Sequence, residues 1–151
     1  MEYLRAHLVQ GVINSYDEIQ IPTPTSKTEN MAMLIHTIDL HPSALIATAP
    51  ANADTVHAHL ATRARTVYGT IEMPEILAKY KVYTALNAVF NGTIETGQQQ
   101  WKFDPPILCP KTLLYAGIQS TGFASAVNLD VRVGYTLEKV SREDFISALV
   151  E

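Results

Sequence analysis

The sequence predicts an all-β protein, an antiparallel sandwich or barrel of about eight short strands followed by one short C-terminal helix. Three observations carry this. Apolar and polar residues alternate along most of the 151 residues. Pro, Gly, Asn and Ser interrupt that alternation at intervals of roughly ten residues, the spacing of a sandwich or barrel. No strand-helix alternation that would build a parallel sheet is present.

The opening "MEYLRAHLVQGV" is ambiguous. Tyr3, Leu4, His7 and Leu8 have helical spacing up to Gly11, yet an arm or a first strand fits equally. "SYDEIQIPTPTS" (15 to 26) reads as a strand with Tyr16, Glu18 and Gln20 on one face and Asp17, Ile19 and Ile21 on the other. Pro22 and Pro24 end it, since proline cannot donate to a ladder. "NMAMLIHTIDLHP" (30 to 42) is a longer strand, with Ala32, Leu34, His36, Ile38 and Leu40 on one face. Its first half is apolar on both faces, as for a strand covered on both sides at one end.

A short strand is expected in 43 to 53, then an alternating one in "DTVHAHLATRA" (54 to 64), and a further one in 65 to 73. "PEILAKYKVYTAL" (74 to 86) is open: Pro74 in a first turn with Ile76, Leu77 and Tyr80 suits a helix, and the later residues suit a strand. Asn91-Gly92 signals a hairpin onto which "QQQWKF" (98 to 103) can fold back. "DPPILCPK" (104 to 111) reads as an extended connection fixed by prolines, and "TLLYAGIQSTG" (112 to 122) as a strand.

Residues 127 to 138 alternate most strictly, with Val127, Leu129, Val131, Val133, Tyr135 and Leu137 on one face. The period then changes. Ser141 followed by Asp144 approximates a capping box, with Glu143 suited to the helix dipole. Phe145 with Leu149, and Ile146 with Val150, are i, i+4 pairs forming one expected apolar stripe. A helix of about ten residues is too short to stand alone in water, so it must dock. It either caps its own core or contacts a neighbour.

The chain suits one domain, residues 1–151, with a substantial core. Its hydrophobic fraction is 47% and its charged fraction only 17%, against the usual share of about 25%. Either the surface is rich in uncharged polar residues or partners cover part of it. Net charge is −4, and residues 1 to 26 hold one basic side chain, Arg5. This gives no basic arm and no strong nucleic-acid signal. The pairs Arg63 with Arg65 and Lys79 with Lys81 are read as a solvated strand face. No apolar run approaches the roughly 18 residues of a transmembrane helix, and no signal peptide is visible.

No motif signals an enzyme. His57 and His59 share a strand face and could ligate one metal, but no third ligand stands at the spacing of a metal-binding cupin. His36 is read as a hydrogen-bonded core histidine. Cys109, the single cysteine, is read as buried and inert. Trp101 is either a half-buried strand anchor or, if exposed beside glutamines, a sugar-stacking platform. Asp17 and Glu18 are strand neighbours and point to opposite faces, so they do not form a paired-carboxylate site. Glycine-rich phosphate loops and a nucleophile elbow are absent from the sequence. No catalytic residue, metal or cofactor is assigned.

Residues Leu114 to Ser120 ("LYAGIQS"), Arg132 to Tyr135 ("RVGY") and Ser141 to Phe145 ("SREDF") carry a resemblance. In that order and spacing they resemble the C-terminal part of small single jelly-roll major capsid proteins of viruses and phages. The resemblance runs from Pro105 to the end, and "AHLATRART" is also similar. It implies an eight-stranded jelly-roll sandwich whose copies tile an icosahedral shell, a structural virion protein assembled in the host cytoplasm. Partners would be copies of itself and other virion proteins. Phe145, Ile146, Leu149 and Val150 would be the assembly or docking residues. The basic arm that grips a genome in many shell proteins is missing. Two other readings stand beside this one: a virion spike, tail or carbohydrate-binding jelly-roll module, and a cupin-like metal enzyme.

Overall fold

In the computed structural model, residues 1–43, 54–67, 73–86, 91–97, 99–122 and 126–150 are described. Two antiparallel sheets face each other. One has the order β1 (Glu2–Val9), β9 (Asn128–Lys139), β3 (Met31–Ser43), β7 (Gln100–Cys109). The other has the order β2 (Tyr16–Pro22), β8 (Leu113–Thr121), β4 (Asp54–Ala61), β5 (Ile76–Leu86), β6 (Asn91–Gly97). Successive strands cross from sheet to sheet, except that β4, β5 and β6 follow one another within one sheet. Eight strands thus form the two interleaved four-stranded halves of a jelly-roll sandwich, and β6 extends the second by a hairpin with β5. Helix α1 (Arg142–Val150) closes the chain.

The strictest alternation belongs to β9 because it is an inner strand, paired with β1 on one side and β3 on the other. Leu129, Val131, Val133 and Tyr135 enter the core, whereas Asp130 and Arg132 face away. From the opposite sheet Val56, Ala58, Leu60, Ala78, Tyr80, Leu114, Ala116 and Ile118 meet them. Complete burial of one such Leu or Ile stabilises by about 1.5–3 kcal/mol. The ambiguous N-terminal stretch is β1, whose Leu8 reaches the core.

Three local readings change and one open stretch is settled, each for a physical reason. The core-facing set of β3 switches partway along: Met33 and Ile35 enter the core, then Ile38 and Leu40. A β-bulge between Ile35 and Thr37 places one extra residue, His36, in the strand and reverses the parity. The single face expected from Ala32 to Leu40 is therefore split in two. Residues 76–86 form strand rather than helix, and Pro74 sits in the preceding turn, where Ile76 N bonds Met73 O at 3.0 Å.

The proline-rich connection belongs to β7. Its register with β3 breaks between Lys102 and Ile107, so Pro105 and Pro106 stand where no ladder bond is required. Finally, 98–103 does not fold back on the Asn-Gly strand. β6 pairs with β5 (Leu86↔Asn91), and β7 crosses to the other sheet, with Trp101 opposite Ile38. The strand expected in 43–53 lies outside the described residues apart from Ser43, which ends β3; so do residues 68–72 of the one expected in 65–73.

One end of the sandwich is pinned by a buried amide. Gln10 Nε2 donates to Ser15 O at 2.6 Å and to Ser120 Oγ at 2.9 Å, while its Oε1 accepts from Val127 N at 3.3 Å. Asn14 and Asn30 take left-handed backbone conformations in the two turns that flank β2, which short amide side chains tolerate. Among the described residues no helix is long and apolar enough to cross a membrane.

Candidate functional site

Helix α1 starts as its sequence requires. Ser141 Oγ accepts from Asp144 N at 3.0 Å and donates to Asp144 Oδ2 at 2.6 Å, so the cap is formed. At the other end Lys111 Nζ donates to Leu149 O at 2.6 Å, placing a cation on the unsatisfied carbonyls. The helix lies against β7 of its own chain.

The expected single stripe divides in two. Phe145 is 2% exposed and stands outside the main core cluster, a satellite contact beneath the helix. Leu149, one turn on, is partly buried. Ile146 and Val150 lie about 100° further round the helix and are 50% and 77% exposed. The helix therefore docks on its own sandwich with one pair and presents the other pair outward. Val9 at the end of β1, with Val12 and Ile13 in the connection to β2, is exposed as well, and the sequence reading did not single these residues out.

A polar cluster covers the outer face of the five-stranded sheet. His57 and His59 alternate with core-facing Val56, Ala58 and Leu60, so both rings point away from the core, as their spacing predicts. His59 is nevertheless 0% exposed. Across the sheet the register reads Glu18, Gly117, His59, Lys79. Gly117 leaves a gap over which Tyr16 reaches from the next row and stacks on His59, ring centroids 5.9 Å apart. Tyr16 OH donates its one proton to Glu18 Oε2 at 2.7 Å. The 3.2 Å contact to His59 Nε2 is then a hydrogen bond with the proton on Nε2. Arg65 N also donates to Glu18 Oε2, at 3.0 Å, and the Arg65 guanidinium pairs with Glu75. The expectation of a solvated Arg65 is thus corrected: its side chain is only 15% exposed, because it closes over this cluster.

Burial, with Arg65 and Lys79 adding positive charge, depresses the His59 pKa to about 4. Burial with Lys79 and Lys81 does the same for His57, also to about 4. Both imidazoles are neutral at pH 7. Burial first, then Glu18, raises the Tyr16 pKa. Burial lowers that of Lys79, with Lys81 assisting. The cluster holds neutral rings beside a carboxylate that accepts two hydrogen bonds. Among the described residues no group of three His, Cys, Asp or Glu is placed to hold a metal ion.

No protein-family model matches the chain, and neither a curated protein nor a solved structure is significantly similar to it.

The remaining candidates have plain structural places. Cys109 is buried and its thiol pKa is pushed up by that burial. His36 sits in the β3 bulge, hydrogen-bonded to Thr136 Oγ1 at 2.9 Å. Trp101 is half-buried and packs against the core as a strand anchor. A Cβ at position 117 would lie 2.5 Å from Tyr16 Oη and 2.6 Å from His59 Nε2. Gly117→Ala is accordingly expected to destabilise by about 1–3 kcal/mol in urea denaturation, the usual cost of overpacking. An unchanged midpoint would show that the Tyr16–His59 contact yields freely.

Proposed function

We propose that this chain is a structural virion protein, a major capsid subunit whose copies assemble into a closed icosahedral shell in the host cytoplasm. The observation that carries the reading is a jelly-roll sandwich with large apolar side chains exposed on its surface, among them two groups close in sequence. These are Val9 at the end of β1 with Val12 and Ile13 in the connection that follows, and Ile146 and Val150 on α1. Exposed apolar groups on a chain low in charge suit burial against neighbours. The C-terminal resemblance supports the same reading, and the fold alone would not, since unrelated functions share it. Closed symmetry lets many modest contacts hold a stable particle.

The test is the native mass of the purified protein, by size exclusion with light scattering, followed by negative-stain imaging. Uniform spheres in the megadalton range are expected. A monomer or trimer at every salt and pH condition would overturn the shell and turn attention to a binding module.

A further inference from the structure

The outer face of the four-stranded sheet carries a cleft of about 460 Å³ lined by Arg5 and His7 of β1, Asp130 and Arg132 of β9, and His41 of β3. Strand register sets the charged side chains in two rows. Arg5 stands opposite Arg132, which stands opposite Asp39. Two residues along, His7 stands opposite Asp130, which stands opposite His41. These residues alternate with core-facing Leu8, Val131, Val133, Ile38 and Leu40, so both rows point away from the core.

The two acids are already engaged. Asp39, 2% exposed, accepts from Arg132 Nε at 2.7 Å. Asp130 Oδ1 lies 2.6 Å from His7 Nδ1. The Arg132 guanidinium also stands 5.5 Å over the Tyr3 ring. Arg132 is thus fixed through Nε and its flat face, and its two Nη groups are the donors left for a ligand. Arg5 has no ion-pair partner among the described residues, and its opposite neighbour is another guanidinium. Like charges directly opposite in an antiparallel pair are destabilising. The pairing is explained if an anion sits between them.

We propose that this cleft is an anion site whose ligand is a phosphate group, held between the guanidinium groups of Arg5 and Arg132. Guanidinium forks match phosphate oxygens bidentately, and a tetrahedral phosphate has oxygens enough for two forks. His7 and His41 also line the cleft. The site is independent of whether the chain forms a shell.

Equilibrium dialysis of the full chain against radiolabelled inorganic phosphate tests this, whether or not the protein assembles. Saturable binding of one phosphate per chain is expected, with a dissociation constant on the order of 1 mM. Arg5→Ala should weaken it about tenfold, and Arg5→Lys less, because an ammonium cannot form the fork. Without phosphate, Arg5→Ala should not lower the unfolding midpoint, since it removes a like-charge opposition. Arg132→Ala leaves buried Asp39 without its guanidinium, so the result rests on Arg5. Equal affinity for phosphate and adenosine monophosphate would assign free phosphate as the source; tighter binding of the nucleotide would assign a nucleotide. Unsaturable uptake, equal displacement by chloride at matched ionic strength, or unchanged affinity in Arg5→Ala would overturn the proposal.

Discussion

Acidification from about pH 7 to about pH 4 is expected to remove about 3 kcal/mol of folding stability through His59 alone, because its pKa falls from 6.5 in the unfolded chain to about 4 in the fold. Above pH 6.5 both states hold a neutral ring, and the contribution is nearly absent. Between the two values the unfolded chain takes up a proton that the folded chain refuses. Stability therefore falls as pH falls through this window. The cause is burial first, with Arg65 and Lys79 adding repulsion. His57 acts in the same direction from a partly exposed position. Against a typical total of about 5–15 kcal/mol this is a large loss.

His59→Gln isolates the effect. The glutamine amide keeps an N–H near the place of Nε2–H, aimed at Tyr16 Oη, and cannot titrate. Urea denaturation of both proteins at the two pH values should show the wild type losing about 3 kcal/mol more than the variant. Equal losses would mean that the ring is not held neutral by its burial.

The same cluster shows where sequence reading reaches its limit. Strand identity was legible wherever alternation was clean, as in Val56, Ala58 and Leu60 against His57 and His59. That both histidines share one face followed from period two alone. That His59 is buried did not, because its cover comes from Tyr16, 43 residues earlier, across a gap left by Gly117. A lone glycine in an alternating strand was the available signal, since it marks close approach by another group.

The β3 bulge was legible only as a conflict. A stretch apolar on both faces is what results when one extra residue reverses the parity midway. The prolines of β7 misled for the opposite reason: a strand can contain them where its ladder is already interrupted. The Arg5–Arg132 opposition needed the β1–β9 register, which no local pattern supplies. The four helix residues were found together, yet periodicity could not say which pair docks.

That division of α1 allows capping and assembly to be tested apart. Phe145→Ala removes a side chain buried beneath a nine-residue helix. Loss of a buried Phe typically costs about 3–5 kcal/mol, and a helix this short has no stability of its own. The expected result is a lowered unfolding midpoint together with loss of the helical signal in circular dichroism, while the strand signal persists below the transition. Ile146→Lys with Val150→Lys acts on the other pair. Both positions are exposed, and a cation at 150, in the last turn, suits the helix dipole. Stability should stay within about 0.5 kcal/mol of the wild type. Under the shell reading, particles should nevertheless fail to form, because two charges would be carried into an apolar contact with no partner. Normal particles from this double variant would move the subunit contact away from α1 and leave the helix as a cap on its own sandwich. A folded subunit that no longer assembles would place the outward pair at the contact.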